Sequence, residues 1–80
     1  VDRFLRDGRI AQYPARPDDR AELLRWVVAQ VIATDETLGE RELNSRLALL
    51  VDDFATLRRY VVDAGLLRRD ADGRAYRQAG

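Results

Sequence analysis

Between Asp18 and Ala33 the apolar residues Leu23, Leu24, Val27, Val28, Val31 and Ile32 recur at steps of three and four, the pattern of a helix with a broad buried stripe. The spacing predicts a first helix over this stretch. Pro17 or Asp18 suits its first turn, and Asp18, Asp19 and Glu22 place negative charge at the positive end of its dipole. Thr34 to Thr37 reads as a connecting loop. A second helix is expected to start after Gly39 as N-cap, which puts Glu42 at N3 and sets Leu38 and Leu43 at N′ and N4. That is a capping-box position joined to a hydrophobic staple, with glycine replacing the usual Ser or Thr. Leu43, Leu47 and Leu50 form its inward face, leaving Asn44, Ser45 and Arg46 outward or partly so. Asp52 or Asp53 then caps a third helix with a narrower stripe of Phe54, Leu57, Val61 and Ala64. Gly65 at C′, with Leu66 at C″ reaching Val61, predicts a Schellman end.

The flanks carry shorter patterns. Asp7-Gly8 is a turn dipeptide after Phe4-Leu5, Arg9 to Tyr13 reads as a short strand, and Pro14 to Pro17 separates this arm from the first helix. At the other end, Leu66 to Arg69 and Arg74 to Arg77 flank the turn Asp70-Ala-Asp-Gly73, a hairpin with Leu67 and Tyr76 inward and arginines outward. The expected architecture is mainly α with a small β-hairpin, a winged helix-turn-helix in one domain spanning 1–80. Its parts are an N-terminal arm (1–17), a three-helix core (18–65) and a wing (66–77).

Composition narrows the function classes. With 80 residues, 46% apolar and 35% charged, the chain supports one core and falls among folded proteins. No apolar run approaches the roughly 20 residues of a membrane span, since even Trp26 to Ala33 is broken by Gln30, so no membrane partner is expected. The first residues lack a signal-peptide pattern, and a cytoplasmic setting is expected. A valine start and the absence of methionine suggest a processed product or a piece of something longer. There is no cysteine and no histidine, which removes disulfides, thiol and imidazole nucleophiles and every zinc site built on them. The carboxylates have no paired context beyond helix caps, so neither enzymatic activity, nor a cofactor, nor a metal is expected.

All 14 basic residues are arginine and the net charge is zero, yet the charge is uneven. Residues 1–17 carry +2, residues 18–53 carry −5, and residues 54–80, with six arginines against three aspartates, carry +3. The basic end coincides with the third helix and the hairpin, the elements that approach DNA in a winged helix. The candidate DNA-binding residues are therefore Thr56, Arg59 and Tyr60 on the helix and Arg68, Arg69 and Arg74 on the wing. Arg58, about 100° from Arg59 around the helix, is expected to form a structural ion pair with Asp53 or Asp63. Trp26 is read as core or edge packing.

The run Asp52-Asp-Phe-Ala-Thr-Leu-Arg-Arg-Tyr-Val-Val-Asp-Ala-Gly-Leu-Leu-Arg-Arg69 also resembles the bacterial domain of unknown function 2087. Phe4-Leu-Arg-Asp-Gly-Arg-Ile10, Tyr13-Pro-Ala15, Glu42-Leu-Asn44 and Gly73-Arg-Ala-Tyr76 share in the resemblance, which spans nearly the whole chain. It implies a domain that occurs alone or attached to regulators of transcription, often behind a separate helix-turn-helix domain. The chain departs from the family where relatives carry a lysine- and arginine-rich run into the first helix, having Arg16-Pro-Asp-Asp-Arg20 instead. Two functions follow as expectations. One is a regulatory module that binds DNA with the third helix and wing. The other is a protein-interaction or dimerisation module, favoured by the zero net charge and by Asp52-Asp53 at the start of the would-be reading helix. A weaker third is a sensor with a ligand between the arm and the first helix.

Overall fold

A single 3-10 turn, Asp2–Phe4, leads into a hairpin of β1 (Leu5–Arg6) and β2 (Arg9–Ile10), with Leu5 opposite Ile10 and Arg6 opposite Arg9. Asp7 and Gly8 both have positive φ, 54° and 79°, the type I′ geometry whose twist suits a two-residue hairpin. The turn is where the sequence places it, but the strand expected to run to Tyr13 stops at Ile10. Its partner strand is only two residues long, and beyond it the pairing continues by a single bond, from Ala11 N–H to Phe4 O at 2.9 Å. The computed structural model describes residues 2–79. Val1 and Gly80, the ends of the expected domain, lie outside the described residues.

Helix α1 (Pro17–Val31) starts with proline in its first turn and ends two residues before the expected Ala33, one short of its apolar stripe. Ile32 is already extended, at φ −146° and ψ 131°, and still buries its side chain. After a short loop come β3 (Thr37–Gly39), α2 (Glu40–Ala48), α3 (Phe54–Asp63), β4 (Leu67–Arg69) and β5 (Ala75–Gln78). Strand β3 corrects the expectation of a plain loop at Thr37. It pairs antiparallel with β5, which also pairs antiparallel with β4, giving the order β3-β5-β4. A three-residue strand with one apolar side chain has no period to read, and Leu38 serves strand and helix start alike. Among the described residues helix makes up 47% and strand 18%, so the fold is mixed α and β, three helices with two small antiparallel sheets, and "mainly α" is only partly right.

The core lies where α1, α2, α3 and the inner face of the three-stranded sheet meet. Leu23, Val27, Leu43, Leu47, Leu57 and Val61 are fully buried, joined by Leu38, Leu67 and Tyr76 from the sheet. Trp26 and Leu50 pack half-buried on its edge. Asp53 is the cap of α3, its carboxylate accepting from the Thr56 N–H at 3.2 Å. The helix ends as a Schellman motif. Leu66 N–H donates to Val61 O and Gly65 N–H to Val62 O, both at 3.0 Å, with Gly65 at φ 77°. Ala64 is the exposed C-cap rather than part of the buried stripe. At α2, Glu42 does not reach back to Gly39, which is held opposite Ala75 in the sheet. It accepts from Arg46 Nε one turn on, at 3.2 Å.

Candidate nucleic-acid interface

Helix α3 divides its side chains among three surroundings. Leu57 and Val61 enter the core with Phe54 at its edge. Ala55, Arg58, Arg59 and Val62, spaced three, four and seven apart, face a groove whose other wall is Arg69 and Tyr76 of the hairpin. Thr56 and Tyr60 lie toward the arm and the helix start. The 100° between Arg58 and Arg59 therefore does not separate them, because the groove is wide enough to take both.

Arg58 is tied down, but not by the carboxylates of its own helix that the sequence suggests. Its guanidinium donates to Asn44 Oδ1 and lies 3.8 Å from Glu40 Oε1, both on α2. Glu40 also accepts from the Tyr76 hydroxyl at 2.9 Å, so one carboxylate joins α2, α3 and β5. Burial first, and then this hydrogen bond, push the Tyr76 phenol above its ordinary value, with nearby Arg69 partly opposing them. Tyr76 thus stays neutral and donating, which fixes the hairpin against the helix pair.

Arg59 is exposed on the groove, free of ion pairs among the described residues. Arg69 comes from the other wall and packs its guanidinium over Gly73, where an added Cβ would approach Arg69 Nε to 3.3 Å. Arg74 is exposed in the turn between β4 and β5, and its backbone N–H donates to Asp70 and Asp72 carboxylates at 2.9 and 3.1 Å. Arg59 and Arg69 are brought together on the groove, and Arg74 lies in the turn of the hairpin, outside the groove's lining. Arg68 is not in this set, since it projects from the opposite face of the hairpin, opposite Arg77.

Two further candidates are engaged elsewhere. The Thr56 hydroxyl donates to Asp53 Oδ2 at 2.7 Å. The Tyr60 ring meets Tyr13 edge-on at 5.1 Å between centroids, and Arg20 stacks on it at 4.7 Å. The Tyr13 hydroxyl is buried without a partner among the described residues. Its burial, then its proximity to Tyr60 and Asp53, raise its pKa against a smaller opposing effect of Arg20.

The acidic start of α3 is less negative than its sequence. Asp52 pairs with Arg9 at 2.6 Å, and Arg9 also donates to the carbonyls of Ala48 and Leu49 at 3.0 and 3.1 Å. One guanidinium from the N-terminal hairpin thereby caps the negative end of α2 and offsets the charge before α3. Sequence reasoning missed this role of Arg9. Its only local sign is a cation beside a turn, and its partners lie about 40 residues away. Asp53 is held below its ordinary value, chiefly by the Thr56 hydroxyl and next by the Thr56 backbone.

A family model described as an uncharacterized protein conserved in bacteria (DUF2087) matches residues 9–78. The chain belongs to this family. The DUF2087 span runs from β2 to the end of β5, so the Arg9 clamp, α3 and the whole hairpin fall within it. No curated protein and no solved structure matches the chain. Where this DUF2087 chain has Arg16-Pro-Asp-Asp-Arg20, the segment forms the start of α1, and Asp19 accepts from Arg3 at 2.8 Å. Among the described residues no helix is long and apolar enough to cross a membrane, and no group of three or more His, Cys, Asp or Glu stands where it could hold a metal ion.

Proposed function

We propose that this domain is a winged-helix module of a bacterial transcriptional regulator, acting by binding rather than by catalysis, and contacting duplex DNA with α3 and the wing. The observation that carries the reading is the groove between α3 and the hairpin. Arg58, Arg59 and Arg69 line it, and Asp63 is the one carboxylate in the lining among the described residues. Glu40 beside the groove is taken up by Arg58 and Tyr76, which leaves Arg59 and Arg69 as guanidiniums suited to phosphate oxygens and guanine edges. The order α1-β3-α2-α3-β4-β5, with sheet order β3-β5-β4, supports it as the connectivity of a winged helix. The pairing of Asp52 with Arg9 supports it too, by reducing the repulsion a duplex would meet at the start of α3.

Arg59 is the base or phosphate contact in this proposal, and Arg69 and Arg74 are phosphate contacts. Thr56 and Tyr60 act structurally, through Asp53 and Tyr13. A DNA-binding regulator domain would work in the cytoplasm. Titration of a labelled random-sequence duplex at low salt tests the proposal. Binding is expected, with Arg59→Ala and Arg69→Ala weakening it for all sequences alike. No binding near about 100 μM protein, where nonspecific binders are normally visible, would leave a protein-interaction module as the better account. The zero net charge favours that second reading.

A further inference from the structure

The outer face of the three-stranded sheet carries charge that the α3 groove does not use. Tyr76 and Leu38 point into the core, at 1% and 5% exposure, so alternation turns Arg77 and Thr37 to the other face. The register sets Thr37 opposite Arg77 and Arg77 opposite Arg68. One hydroxyl and two guanidinium side chains thus form a single exposed row across three strands. Like charges directly opposite each other on one face destabilise a sheet. Neither arginine forms an ion pair among the described residues, and the nearby acids are otherwise engaged or apart. Arg46 holds Glu36 at 2.8 Å, Asp70 accepts from the Arg74 N–H, and Asp35 lines one flank without pairing.

The row also lies where two concave surfaces, of about 450 and 350 Å³, adjoin, both lined by Thr37, Arg68 and Arg77. Two residues along the same face, Gly39 stands opposite Ala75, so this pair of the sheet carries nothing larger than a methyl group beside the guanidiniums, with Asp70 lining the rim. We propose that Thr37, Arg68 and Arg77 form a binding site for the phosphate group of a small ligand, on the face of the hairpin away from the α3 groove. Paired guanidiniums chelate phosphate oxygens with two parallel hydrogen bonds each, and a dianion between them cancels the repulsion that the register imposes. The Gly39 and Ala75 floor gives room for the rest of the molecule. A duplex lying on Arg59 and Arg69 would leave this face open.

The test is titration of the isotope-labelled domain with inorganic phosphate and with pyrophosphate, followed through the backbone amide shifts of Thr37, Arg68 and Arg77. Saturable shifts are expected, weakened at least ~10-fold in Arg68→Gln and Arg77→Gln, the scale of one lost charge-assisted hydrogen bond, and unchanged in Arg59→Gln. Both glutamine variants should melt no lower than wild type in phosphate-free buffer, because each removes a like-charge pair, which separates loss of binding from loss of fold. Three results would overturn the proposal. One is the absence of saturable shifts by about 10 mM phosphate. Another is the same shifts from sodium chloride at equal ionic strength. The third is a duplex that perturbs these amides where phosphate and pyrophosphate do not, which would assign the row to a nucleic-acid surface.

Discussion

Asp53 accepts from both the backbone and the hydroxyl of Thr56, so the third helix is anchored by contacts within one turn. Such a cap is legible in sequence because donor and acceptor are three residues apart, and Asp53 is one of the two positions, with Asp52, that the pattern offers for it. The partners of Arg58 are not, because Asn44 and Glu40 come from another helix and become neighbours only once α2 packs on α3. Asp53→Ala should lower the melting temperature, whereas Asp53→Asn, which also caps, should nearly preserve it. The Asn variant should also bind duplex more tightly, since it removes a negative charge at the helix start, and weaker binding would place that end away from phosphate. A pH dependence follows from the same contacts. Asp53 and Glu36 titrate below their ordinary values of 3.8 and 4.5, held there first by the Thr56 hydroxyl and by Arg46 respectively. The unfolded chain therefore takes up these protons first as pH falls. Their contribution to stability is full above the ordinary values and lost as pH drops through the depressed ones. Denaturant midpoints followed from about pH 6 to about pH 2 should show that decline. In Thr56→Val, which removes the chief cause of the depression, the Asp53 part of that decline should shrink.

Among the elements, the three helices were legible because each has an apolar period and marked ends, while the strands were legible only where a turn announced them. Asp7-Gly8 and Asp70 to Gly73 disclosed two hairpins. Nothing local disclosed β3, whose pairing with β5 joins residues 37–39 to 75–77. The end of α3 offers a clean test of local reasoning. A Cβ at Gly65 would meet nothing within 4 Å, so the cost of a substitution there is backbone strain alone. Gly65→Val should destabilise by more than ~1 kcal/mol, and Gly65→Asn, which tolerates positive φ, should cost clearly less. Equal losses in chemical denaturation would mean that the left-handed conformation is not what matters at this position.

For the molecule as a whole, the core stripes read from the sequence are buried except at their margins, where Leu50 and Phe54 are half-buried and Ala64 is exposed, whereas the grouping of the candidate arginines was not legible. Their direction depends on which face of the sheet each strand residue takes. That depends in turn on β3 pairing with β5 and on Tyr76 filling the core. Adjacent Arg68 and Arg69 look equivalent in sequence and serve opposite faces. Leu57 lies at the centre of this arrangement with no exposed surface. Leu57→Ala should cost ~2–5 kcal/mol, a large share of what a small domain has, and a melting temperature close to wild type would contradict the packing described. The central claim, that a duplex is held in the groove between α3 and the wing, is tested most directly by the salt dependence of duplex affinity. Wild type should give a linear fall of log K with log salt. Arg59→Ala, if its contact is to phosphate, and Arg69→Ala should each flatten the slope by about 1, at roughly 0.9 per phosphate contact, while Arg68→Ala leaves it unchanged. A slope that none of the groove arginines alters, or one that Arg68→Ala alone reduces, would contradict it.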